Sequence, residues 1–73
     1  MKTADKLKTG EKGIIQEVDF SSPSSRRILE FGFTPGQEIE LVNVSAFDDP
    51  IAFSVRGTLI AIRKSEARSI LLS

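Results

Sequence analysis

The run from Arg26 to Gly36, Arg-Arg-Ile-Leu-Glu-Phe-Gly-Phe-Thr-Pro-Gly, obliges the chain to reverse direction twice within a few residues. Ile28 and Phe31 are spaced to share one face of a short helix, with Leu29 beside them, so that face points at whatever the chain builds next. Gly32 follows the last periodic residue and can take the left-handed conformation that a residue with a Cβ reaches only at about 1 to 2 kcal/mol. The spacing therefore predicts a helix closed at Gly32, with Phe33 folded back over the cap. Thr34-Pro35-Gly36 adds a type II turn, in which proline sets φ and glycine accepts a positive φ, and a strand starts beyond it.

The rest of the chain reads as short strands. Met1 to Leu7 is expected to form a single helical turn, capped by Thr3 and anchored by Leu7, and Thr9-Gly10 ends it. From Glu11 to Phe20 the chain extends, but Ile15 and Val18 cannot share a face under strict alternation; a bulge near Gln16 reconciles them. Ser21-Ser22-Pro23-Ser24 supplies turn and cap residues, with Pro23 suited to the first helical position. After Gly36, Ile39 and Leu41 alternate before Val42 and Val44 change parity, which predicts a second bend.

Asp48-Asp49-Pro50 reads as a loop. Strands Ile51 to Val55 and Thr58 to Ile62 follow, joined by Arg56-Gly57 as a hairpin tip. A two-residue tip sets Val55 opposite Thr58, Phe53 opposite Ile60 and Ile51 opposite Ile62, which makes one apolar face. The reverse face pairs Ser54 with Leu59 and Ala52 with Ala61. Ser65 is positioned to cap a short turn through Glu66-Ala67, and Ser69 to Leu72 reads as a last strand. These elements predict a mainly β fold: a small barrel of about five strands, with one short helix inserted between the first and second. At 73 residues the chain is a single domain, spanning 1–73.

These pieces, in this order, resemble the FeoA family. Its members read roughly Arg-x-Leu-x-x-Leu-Gly-Leu-x-Pro-Gly, a strand, Gly-Asp-Pro, a hairpin with Arg-Gly at its tip, and an Arg-x-x-Glu-Ala turn. The matching segments here are Arg26 to Gly36, Asp48-Asp49-Pro50, Arg56-Gly57 and Arg63 to Ala67. Phenylalanine replaces leucine on both sides of Gly32, and Asp48 replaces the glycine. The resemblance implies an SH3-like barrel. It also implies a small accessory protein of ferrous-iron uptake, whose partner is the membrane transporter FeoB with its cytosolic GTP-binding part. FeoA-like barrels that end iron-dependent repressors offer the alternative, a regulatory domain acting by peptide or protein binding.

Composition argues for contact and against chemistry. There is no cysteine and no histidine, which removes thiolate sites, the commonest metal ligand and the commonest general base. Asp48-Asp49 is the most tempting acidic pair, yet sequence neighbours diverge and a polar loop explains them. Gly10 and Gly13 flank Glu11-Lys12 without a phosphate-loop lysine and hydroxyl. Glu17, Asp19, Asp48, Asp49 and Glu66 could donate oxygen to a metal or simply face water. The expectation is no enzyme, no cofactor and no resident metal. Ten basic and ten acidic residues cancel, which speaks against nucleic acid. No apolar run reaches a membrane span, and the N-terminus has no signal-peptide centre, so the expected compartment is the cytoplasm.

The expected contact surface joins Arg26, Arg27 and Glu30 on the helix, Phe47, Asp48 and Asp49 at the loop, and Ala52, Leu59 and Ala61 on the outer hairpin face. Positive charge in a first helical turn is disfavoured, so Arg26 and Arg27 need a partner: locally Glu30 or Asp19, or an acidic protein. Leu59 with Ala52 and Ala61 is covered either by the helix or by a partner, and homodimerisation through an edge strand is a further expectation. The five phenylalanines are expected mostly in the core, with Phe47 partly exposed.

Overall fold

Strand Lys12–Val18 (β2) is the hub of the molecule because it changes partner midway. In the computed structural model, which describes residues 2–45 and 49–73, its first half pairs with Glu38–Val44 (β3) through Lys12, Gly13 and Ile14. Its second half pairs with Ile70–Leu72 (β6) from Ile15 to Val18, and the register slips between Ile15 and Glu17. The expected bulge at Gln16 is therefore present. Gln16 and Glu17 both face water while Ile15 and Val18 are buried, so two apolar residues three apart reach one core.

A second slip, between Leu41 and Asn43, bends β3 against Ile51–Val55 (β4) where the change of parity predicts it. β4 continues into Thr58–Ile62 (β5) with the expected register throughout, from Val55 opposite Thr58 to Ile51 opposite Ile62. At the tip Arg56 has φ 53° and Gly57 φ 79°, as a type I′ turn requires of both positions.

The sheet has one strand more than expected. Lys2–Thr3 (β1) pairs with Leu72 and Leu71, giving the order β1-β6-β2-β3-β4-β5. Only a 3-10 turn, Ala4–Lys6, follows, and the Thr3 hydroxyl bonds to the Asp5 carboxylate instead of capping backbone. Leu7 does anchor the segment, at 6% exposure. Met1 lies outside the described residues. There is also a second short helix, Lys64–Ala67 (α2). Ser65 sits inside it and is no cap; the Glu66 carboxylate accepts from the N–H of Arg63 at 2.9 Å and closes its first turn. The fold is an SH3-like barrel with Ser25–Glu30 (α1) between β2 and β3.

Pro23 precedes α1 by two residues, in a turn closed by Ser25 N–H to the Ser22 carbonyl, and is not its first position. The C-terminus of α1 follows the sequence closely. Gly32 has φ 107°, its N–H bonds to the Leu29 carbonyl, and the Phe33 N–H reaches back to the Ile28 carbonyl. That pair of bonds is a Schellman cap, sealed by Ile28 and Phe33, both fully buried. Gln37 N–H to the Thr34 carbonyl then closes the predicted type II turn, with Gly36 at φ 88°. Phe33 meets Phe53 edge to face at 5.8 Å in the centre of the barrel. Phe20 and Phe31 depart from the core expectation: they are 74% and 39% exposed. Phe20 lies past the last residue of β2, on a turn held by Asp19 accepting from the Ser21 N–H and hydroxyl, so it has left the core-facing register. Those same bonds hold the Asp19 carboxyl below its ordinary pKa.

Candidate protein-contact surface

Local rules place the expected contact residues in three groups. On α1, Arg26, Arg27 and Glu30 are all exposed, but they point to different neighbours. Arg27 turns toward α2. Its Nη1 donates to Glu66 Oε2 at 2.8 Å, and its guanidinium lies 5.2 Å from the centre of the Phe31 ring. Glu66 is buried, and its two oxygens serve Arg27 and the Arg63 N–H, so it is a structural link between the helices. The expected local partners, Glu30 and Asp19, do not take this role: Asp19 is engaged by Ser21, and Arg26 forms no ion pair among the described residues.

The second group surrounds a hollow of about 280 Å³ formed by Arg27, Asp49, Pro50, Ala61, Ile62, Arg63 and Glu66. Asp49 Oδ1 accepts from the Lys64 N–H at 2.9 Å, which pins the start of β4 to the start of α2. The structure thus brings Arg27, Asp49 and Ala61 together. Phe47 and Asp48 lie outside the described residues. Arg26 and Glu30 instead border a more apolar hollow of about 380 Å³ with Phe20, Ser25 and Leu29, on another side of the helix.

The third group is the outer face of the β4–β5 hairpin. Ala52 opposes Ala61, and Ser54 opposes Leu59. Leu59 is 66% exposed, Ala61 is exposed and Ala52 is half-buried, so the helix does not cover this face; α1 packs on β2. The described residues contain no group of three or more Asp, Glu, Cys or His that could hold a metal, and no helix long and apolar enough to cross a membrane.

Sequence reasoning overlooked two participants. Arg63-Lys64-Ser65-Glu66 carries the spacing of a cap residue and its carboxylate partner, a signal that was available for Glu66. The exposure of Phe20 had no such signal.

The model of the FeoA domain matches residues 2–73. The chain belongs to the FeoA domain family. A fusion of Fe(2+) transport protein A with the Fe(2+) transporter FeoB in Porphyromonas gingivalis is 30% identical to this FeoA domain over 64 residues, 88% of the chain. The chain spans only 8% of that protein's length. Among solved structures, a FeoA-like protein from Clostridium acetobutylicum superposes with a TM-score of 0.90 at 30% identity, covering 97% of this chain and 83% of its own. A zinc-complexed FeoA of Stenotrophomonas maltophilia, described as a prokaryotic SH3 domain protein, gives 0.86 at 25% identity, covering 100% and 91%. A manganese-dependent transcriptional repressor shares the fold alone, at 14% identity, a TM-score of 0.87, and coverage of 99% and 35%. The family is linked to ferrous-iron transport, and in one relative a FeoA segment and a transporter share a polypeptide.

Proposed function

We propose that this FeoA domain is an accessory component of ferrous-iron uptake that works in the cytoplasm by touching a FeoB-type transporter at its cytosolic GTP-binding part, with no catalysis and no iron of its own. The fused relative carries the reading. Fusion replaces a bimolecular encounter by an intramolecular one at high effective concentration, which benefits two modules that contact each other. The hairpin's outer face supports it, since grouped exposed apolar side chains mark interaction sites. The proposed contact set is Leu59, Ala61 and Ala52, flanked by Arg27 and Asp49 at the adjoining hollow, with Arg26 and Glu30 on another side of the helix. Phe47 and Asp48, which precede Asp49 in the sequence, complete the proposed set.

The lack of cysteine and histidine leaves only carboxylates, lysines, arginines and hydroxyls for chemistry, and the two carboxylates with buried side chains among the described residues are already committed, Glu66 to Arg27 and Arg63, and Asp5 to Thr3 and Arg68. The likeness to repressors is one of fold, so the regulatory-domain reading gains no partner from it. Calorimetric titration with the cytosolic part of a FeoB-type transporter, in GTP-bound, GDP-bound and empty forms, tests the proposal. Saturable binding in at least one form is expected. Silence in all three overturns it.

A further inference from the structure

β5 is the last strand of the sheet and pairs on one side only, with β4. A two-residue hairpin tip makes its flanking residues, Val55 and Thr58, a hydrogen-bonded pair, and the pairs alternate from there. Thr58, Ile60 and Ile62 therefore turn their backbone groups toward β4, whereas Leu59 and Ala61 turn theirs away from it. The outward N–H and C=O groups of Leu59 and Ala61 have no partner among the described residues. Both residues are exposed, in agreement with an open edge.

Open edges of this kind are hazards that chains blunt with a charge, a proline or a bulge. Thr58–Ile62 has none of these. Instead the charges stand at its two ends, Arg56 before it and Arg63 with Lys64 after it, all of one sign. Neither Arg56 nor Arg63 has an ion-pair partner among the described residues; Arg56 donates only to the Gln37 side chain, at 2.7 Å. Ile60 is half-buried at the margin of the core, so an apolar side chain arriving beside it would extend that core.

We infer that the β5 edge receives, by strand addition, an extended segment of another protein that is apolar in its middle and acidic at both ends. The inference rests on the contact reading above for the surface and adds its geometry. A second copy of this chain fits poorly. The antiparallel register that engages all four outward groups sets Leu59 opposite Ala61 of the other copy. It then brings the Arg56 end of β5 in one copy toward the Arg63 and Lys64 end in the other, twice by symmetry, and gathering like charges there is unfavourable. An acidic segment meets the same ends with opposite charge. Main-chain bonds to Leu59 and Ala61 supply affinity, while the end charges and the hollow beyond Ala61 select the partner.

The test is amide hydrogen exchange of the full chain with a capped peptide of alternating valine and threonine that carries glutamates at both ends. Protection of the Leu59 and Ala61 amides is expected to rise by about tenfold or more at saturation. The same peptide with lysine ends, or methylated at alternate backbone nitrogens, is expected to leave them unchanged. Ala61→Pro removes an outward N–H and no bond to β4, so it is expected to weaken the glutamate peptide by about fivefold or more while the fold persists. Unchanged exchange with the glutamate peptide, or equal protection by the lysine or methylated peptide, overturns the inference. So does concentration-dependent protection of these amides in the chain alone, which assigns the edge to a second copy. If the transporter's cytosolic part binds and these amides still exchange freely, the contact reading stands and the strand-addition inference fails.

Discussion

The two faces of the β4–β5 hairpin use the same backbone for opposite ends. Inward, Ile51, Phe53, Val55 and Ile62 are all at or below 2% exposure. Outward, Leu59 is 66% exposed, with Ala61 and Ala52 beside it. Alternation along a strand separates these roles residue by residue, so neighbours in sequence answer to different pressures. The inner face holds the barrel together, and the outer face is left open to solvent.

Substitutions on each face should therefore fail in different ways. The largest effect belongs to the inner face: Phe53→Ala removes the ring that meets Phe33 and should cost about 3 to 5 kcal/mol. A chain of 73 residues has about 4 to 11 kcal/mol of stability in all, so the loss takes a large share of the margin, and thermal denaturation should show a midpoint lowered by about 12 to 40 °C. A cooperative transition at the wild-type midpoint would break the division between faces.

Glu66→Ala should come next, at about 1 to 2 kcal/mol, because it strips the Arg63 N–H and the Arg27 guanidinium of one acceptor. The Arg27 side chain is 57% exposed, so the ion pair itself accounts for little of that; denaturant unfolding of Glu66→Ala beside Arg27→Ala separates the two. Gly32→Ala is expected to cost about 1 kcal/mol. Its Cβ would meet Val55 Cγ1 only at an ordinary 3.6 Å, so the cost is that of φ 107° and not of crowding. Leu59→Glu, on the outer face, should change stability by no more than about 0.5 kcal/mol in the same assay.

Much of what is local could be read without a structure, although the caps expected at Thr3 and Ser65 and the place of Pro23 were local and differ. The Gly32 cap, the bulge at Gln16 and the hairpin register each follow from residues within a few positions of one another, and each is present. The largest departures were settled at a distance. β1 exists because Leu71 and Leu72, at the other end of the chain, present a strand for Lys2 and Thr3 to join. Arg27 finds Glu66 across 39 positions and ignores the nearer Glu30. Phe20 looks like core by composition, but it follows the strand's end and stays in water. The proposed contact surface was half legible: alternation predicts the apolar outer face, while its open edge is a property of sheet order.

The most direct measurement is a calorimetric titration of a FeoB-type transporter's cytosolic part with the wild-type chain and with Leu59→Glu, alongside their thermal midpoints. Saturable wild-type binding, weakened by about tenfold or more in Leu59→Glu at an unchanged midpoint, is the predicted result. Equal affinity for both chains, or binding by neither in any nucleotide state, would contradict it.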